Sequence, residues 1–164
     1  MARYSVGIDL GTTHSAVSVF ELARKAGRGK EQTILDIAQL IKPGAVEELS
    51  LLPSFLYLPN ENEFPEGSLA LPWNKKSNEI IGELARGHGS KVPTRLVSST
   101  KSWLCHPGVD RTAPILPWEA PPDVNKVSPL EASARYLRHL RSAWEHKHPN
   151  EKLKDQQLVL TVPA

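Results

Sequence analysis

Two apolar, β-branched runs open the chain, Tyr4 to Leu10 and Ser15 to Leu22, and only Gly11-Thr12-Thr13-His14 separates them. So short a connection between strand-like runs predicts an antiparallel hairpin, with Asp9 and the turn together at one end of a sheet. His14 reads as a polar strand residue beside that turn. Ala23 to Lys30 carries two glycines and four basic residues and reads as a solvated turn. In Gln32 to Ile41, Ile34, Ile37, Ala38 and Ile41 fit helical spacing, but β-branched content and shortness favour a strand. Leu49 to Leu58 is apolar and aromatic with Pro53 inside it, so the strand is expected to start at Ser54, where proline no longer removes a ladder donor.

Ser77 to Arg86 predicts a short helix, capped at Ser77 or Asn78, with Ile80, Ile81, Leu84 and Ala85 at helical spacing and Gly87 as its stop. Thr94 to Cys105 mixes polar and apolar residues without a clear period. The proline-rich stretch from His106 to Ser128 reads as a long irregular surface excursion. Ser128-Pro129-Leu130-Glu131 is a capping box with proline at the first helical position. It predicts a helix to about Lys147, with Leu130, Ala134, Leu137, Leu140 and Trp144 on its apolar face. His139, His146 and His148 are expected to be exposed residues towards the helix end. Leu158 to Val162 is apolar throughout and predicts a strand buried on both faces. A buried strand flush with Pro163-Ala164 reads as a chain cut inside a domain.

Composition narrows the class without naming a partner. The 164 residues are 40% hydrophobic and 23% charged with a net charge of +2, as in soluble globular proteins. The single Cys105 excludes an internal disulfide framework, and Cys105-His106 has no accompanying ligand set of the zinc type. The N-terminus lacks an apolar signal core, and no run reaches the roughly 18 apolar residues of a membrane span, so the chain reads as cytoplasmic and untargeted, with no membrane partner. Trp73, Trp103, Trp118 and Trp144 are scattered with no basic groove around them, which makes them packing residues and leaves nucleic acid unindicated.

The chemistry concentrates in the hairpin turn. Backbone N–H groups of a tight turn converge on phosphate oxygens, threonine hydroxyls add donors, and a strand-end aspartate holds Mg²⁺ through water. No Walker A pattern and no G-x-G-x-x-G occurs in the chain. By residue type alone, Asp9-Leu10-Gly11-Thr12 is equally an ordinary hairpin turn.

The order of residues carries more. Gly7 to Phe20, GIDLGTTHSAVSVF, resembles the first phosphate-binding signature of the heat-shock protein 70 (DnaK-type) chaperones. Leu52-Pro53-Ser54-Phe55, Ile81-Gly82-Glu83-Leu84-Ala85 and Leu158 to Ala164 resemble later family segments in the same order. The resemblance implies an α/β actin-like (ribonuclease H-like) ATPase fold, with a mixed sheet, an antiparallel N-terminal hairpin and packed helices. Residues 1–164 would form a partial nucleotide-binding domain, lobe I with most of its outer subdomain, without lobe II or the substrate-binding domain. It further implies ATP/ADP and Mg²⁺ as cofactors, with Asp9 holding Mg²⁺ through water and Gly11, Thr12 and Thr13 binding the phosphates. Lys101 would be the catalytic lysine reaching the γ-phosphate and attacking water, and Pro163 the proline that relays nucleotide state. Ser99 and Ser102 stand where the family has aspartate and arginine, and His14 replaces its aromatic residue or asparagine. The partners implied are nucleotide and, through the full-length protein, unfolded polypeptide clients and co-chaperones. A sugar kinase of the same superfold and a non-catalytic actin-like interaction module remain the other readings.

Overall fold

The computed structural model describes residues 2–22 and 31–161. The turn expected over Ala23 to Lys30, and Val162, Pro163 and Ala164, lie outside the described residues. Alternation of burial along β1 (Tyr4–Leu10) sends Val6, Ile8 and Leu10 into the core and leaves Asp9 exposed on the other face. β1 pairs antiparallel with β2 (His14–Glu21), which makes the expected hairpin. Its other edge pairs in parallel with β10 (Gln157–Thr161), so the sheet is mixed. Two short strands, β3 (Thr33–Ile34) and β6 (Leu52–Pro53), both pair with β2 and complete five strands.

β4 (Ile37–Lys42) and β5 (Ala45–Leu49) form a separate hairpin, and β7 (Leu56–Tyr57) lies between β8 (Ile80–Ile81) and β9 (Leu96–Val97). Three helices follow: α1 (Glu83–Gly89), α2 (Thr100–Cys105) and α3 (Pro129–Lys147). The main core joins Val6, Ile8, Leu10 and Val17 of the sheet to Tyr136, Leu140, Ala143 and Trp144 of α3. A smaller core gathers Leu40, Tyr57, Ile80, Leu84 and Ala85 beneath α1. The architecture is thus mixed α/β. Among the described residues no helix is long and apolar enough to cross a membrane.

Several expectations are corrected by long-range partners. Pro53 belongs to a strand, because β6 is an edge strand, where proline is tolerated. Gln32 to Ile41 is extended as expected but breaks at Leu35-Asp36 into β3 and the start of β4. Ile80 and Ile81 are strand, and the helix expected from Ser77 starts only at Glu83 and passes Gly87 to end at Gly89. The cause is a cap from elsewhere: the fully buried Gln39 accepts a hydrogen bond from the Glu83 N–H at 3.0 Å and donates to the Leu51 carbonyl at 2.9 Å. Gly82, at φ 88°, passes so close that a Cβ there would lie 2.5 Å from Gln39 Oε1.

α3 matches its expected span, and Ser128 Oγ accepts from the Glu131 N–H at 3.0 Å. Only half of the capping box forms, because the Glu131 carboxylate turns to Arg135 and Arg138 instead. The buried face is also rotated from the expected one: Ala132, Ser133, Tyr136, His139, Leu140, Ala143 and Trp144 face inward, while Leu130 is 54% exposed. Small residues at 132, 133 and 143 let the helix approach closely, a feature that a count of large apolar residues does not register. His139 is therefore buried and not an exposed helix-end residue, and its Nε2 bonds the Ala38 carbonyl at 2.9 Å. His146 is exposed and His148 half-buried.

The proline-rich stretch lacks regular elements but is anchored, since Leu116, Val124 and Val127 are buried and Leu116 bridges Val127. Trp144 packs in the core as expected with its Nε1–H on the Glu151 carbonyl, whereas Trp118 is exposed and stacks on Trp103. β10 is exposed throughout, not buried on both faces, and among the described residues only β1 pairs with it.

Burial lowers the His139 pKa from 6.5 to about 4, against the opposing pull of the Ala38 carbonyl. Between these values the unfolded chain binds a proton that the folded chain refuses, so stability falls as pH falls through this window. Urea denaturation at pH 7 and pH 4.5 should show a loss of about 2–3 kcal/mol from this group, and His139→Gln should remove that part of the slope. Among the described residues, Ser133 Oγ is buried without a hydrogen-bond partner. Ser133→Ala should therefore raise the melting temperature, by about 1 kcal/mol in stability, as read by calorimetry.

Candidate functional site

The candidate site is the tip of the β1–β2 hairpin. Gly11 is required there sterically, since a Cβ would lie 2.0 Å from the His14 carbonyl oxygen. Thr12 and Thr13 are exposed at the tip, and among the described residues their backbone N–H groups have no protein partner. Asp9 lies next to this tip at the end of β1, in register with Thr161 of β10. Thr161 Oγ1 donates to Asp9 Oδ1 at 2.7 Å and so orients the carboxylate, leaving Oδ2 without a protein donor among the described residues. The arrangement offers an oriented anion beside exposed N–H and hydroxyl donors.

Ser54, 2% exposed, fastens the tip from behind. Its Oγ donates to the Gly11 carbonyl at 2.8 Å, and its N–H donates to the Thr13 carbonyl at 2.9 Å. Because the single Ser54 hydroxyl proton is committed to Gly11, the buried Ser15 hydroxyl is the donor in the 2.9 Å contact between the two serines. His14 faces Thr13 Oγ1 at 3.3 Å through Nδ1 and Arg86 Nη1 at 3.5 Å through Nε2. Arg86 is a cation that the sequence pattern did not single out; it comes from α1 and is also held by Glu83 at 2.7 Å.

Lys101 is carried by α2, half-buried and with no ion pair or hydrogen bond among the described residues. Its neighbour Thr100 is buried and bonds the Tyr136 hydroxyl at 3.2 Å, and that hydroxyl donates to the Ser54 carbonyl at 3.1 Å. The structure thus brings Asp9, Gly11, Thr12 and Thr13 together on one hairpin. It connects Lys101 to them through Thr100, Tyr136 and Ser54, with no direct bond. Ser54 and Tyr136 were not expected as site residues, and no spacing in the chain marks them. Cys105 is an exposed free thiol, and no group of three or more His, Cys, Asp or Glu side chains suited to a metal ion occurs among the described residues.

No protein-family model matches this chain, and no curated protein matches it.

Since the Gly11 Cβ position is already filled by backbone, Gly11→Ala should open the tip and cost about 2–3 kcal/mol, read as an earlier thermal unfolding transition by circular dichroism. A variant as stable as the parent would show that the tip is not held as described.

Proposed function

We propose that the hairpin tip is half of a Mg²⁺-nucleotide phosphate site, and that the chain is the N-terminal part of the actin-like ATPase domain of a cytoplasmic heat-shock protein 70-type chaperone. The observation that carries this reading is the pairing of an oriented carboxylate, free at Asp9 Oδ2 among the described residues, with the exposed N–H and hydroxyl donors of Thr12 and Thr13. One carboxylate suits Mg²⁺, which keeps most of its waters and takes its remaining ligands from phosphate. When bound, the cation offsets charge on the transferring phosphoryl group.

The chain's own residues then divide the work. Asp9 would hold the cation through water, and Thr12 and Thr13 would donate to phosphate oxygens across the tight turn at Gly11. Thr161 holds the Asp9 carboxylate in one orientation, so little reordering accompanies binding. Lys101, as a point charge without a competing ion pair among the described residues, would stabilise negative charge on the γ-phosphate oxygens and orient the attacking water. In the complete protein, hydrolysis of ATP to ADP and phosphate would drive cycles of unfolded-polypeptide binding with co-chaperones. A second reading, a non-catalytic module of the same fold, is favoured by Ser99 and Ser102 on either side of the Thr100-Lys101 pair, which remove the charges that accompany the lysine in the family resembled.

Titration of residues 1–164 with Mg²⁺-ATP, followed by ³¹P NMR, should show weak binding that requires Mg²⁺ and falls about tenfold in Asp9→Asn, a loss of about 1.4 kcal/mol. Turnover should be undetectable, because half a cleft neither excludes water nor holds adenosine. Absence of binding at millimolar nucleotide overturns the site, and steady hydrolysis abolished by Lys101→Ala overturns the assignment of half a site.

A further inference from the structure

We infer that Tyr136 is a positioning residue: its hydroxyl sets the seat of Lys101 relative to the phosphate-binding tip. This rests on the reading above, that the tip and Lys101 serve one nucleotide.

The first observation is that the hydroxyl is expensive and unnecessary for packing. Tyr136 is 1% exposed in the middle of α3, where phenylalanine fills the same apolar space without burying an O–H group. Burial pushes its pKa upward, so the group stays a protonated donor at all ordinary pH values. A buried hydroxyl of this kind is compensated only by its partners, and both lie on the path between tip and lysine. The O–H donates to the Ser54 carbonyl at 3.1 Å and, with its one proton so used, accepts from Thr100 Oγ1 at 3.2 Å. Ser54 is the residue whose N–H and Oγ hold the carbonyls of Thr13 and Gly11.

The second observation is that α2 begins without a side-chain cap of its own. It is six residues long, and its N-cap, Ser99, sits in the left-handed region at φ 53° and makes no side-chain cap bond. An uncapped short helix frays at its start unless a tertiary contact holds it. The buried Thr100 supplies that contact, one residue before Lys101, whose own side chain is bound by nothing among the described residues. A lysine with four rotatable bonds is placed by the backbone that carries it. The hydroxyl of Tyr136 therefore converts the packing of α3 into a fixed offset between Lys101 and the tip.

The test measures affinities of residues 1–164 for Mg²⁺-ATP and Mg²⁺-ADP in Tyr136→Phe, Lys101→Ala and the double variant. If Lys101 reaches the terminal phosphate, the parent should prefer ATP over ADP by several-fold, and Lys101→Ala should abolish that preference. Tyr136→Phe should abolish it too, while ADP affinity stays within twofold, and the double variant should lose no more than Lys101→Ala alone. Thr100→Val, which removes only the hydroxyl donor, should reproduce the loss, and Thr100→Ser should restore the preference; this pair serves if Tyr136→Phe folds poorly. An unchanged ATP preference in Tyr136→Phe and Thr100→Val, or an equal loss for both nucleotides, overturns the positioning role alone. A parent that binds neither nucleotide overturns the nucleotide reading and the inference with it.

Discussion

Buried polar atoms without water must find partners inside the protein, and in this molecule that requirement is met at Ser54. Its N–H, hydroxyl and carbonyl bind three different segments: the hairpin tip through Thr13 and Gly11, β2 through Ser15, and α3 through Tyr136. Each bond contributes about 1 kcal/mol net, but an unmet partner in this setting costs more than the bond supplies. The elements meeting at Ser54 are consequently locked in one arrangement. At the tip the Gly11 and Thr13 carbonyls are held by Ser54, while Thr12 and Thr13 stay exposed.

Gln39 repeats the device at the start of α1. Its amide joins the chain before β6 to the first turn of α1, and so decides where that helix begins. Through α1 it also places Arg86 and hence the ring of His14. A third instance is Glu63, which burial would push up but which hydrogen bonds from the Asn60 N–H, Tyr57 and His88 hold below the usual carboxylate range. Its oxygens close the loop after β7 onto α1. In all three cases a single polar side chain ties distant segments together and selects one packing among several that hydrophobic burial alone would allow.

This explains which parts of the molecule were legible along the chain. The β1–β2 hairpin and the span of α3 are local: the turn, the cap and the apolar period lie within a few residues of one another. Asp9, Gly11, Thr12 and Thr13 were legible together for that reason. The Ser54–Gly11 and Tyr136–Ser54 bonds join residues 43 and 82 apart, and no local rule relates such positions. The same holds for His139, whose helical period is consistent with either face until Ala38, 101 residues away, receives its ring. Ile80 and Ile81 fit a helix by spacing and became strand because β7 offered a ladder to join.

By itself, then, the sequence determined the hairpin with its glycine-dependent tip and the long capped helix. These follow from steric limits and hydrogen bonds within a few residues. The tertiary structure alone decided which face of α3 is buried, that β10 lies exposed at the sheet edge, and how α2 carrying Lys101 is joined to the tip. Those outcomes depend on satisfying buried polar groups across distant segments, and that condition exists only once the segments have been brought together.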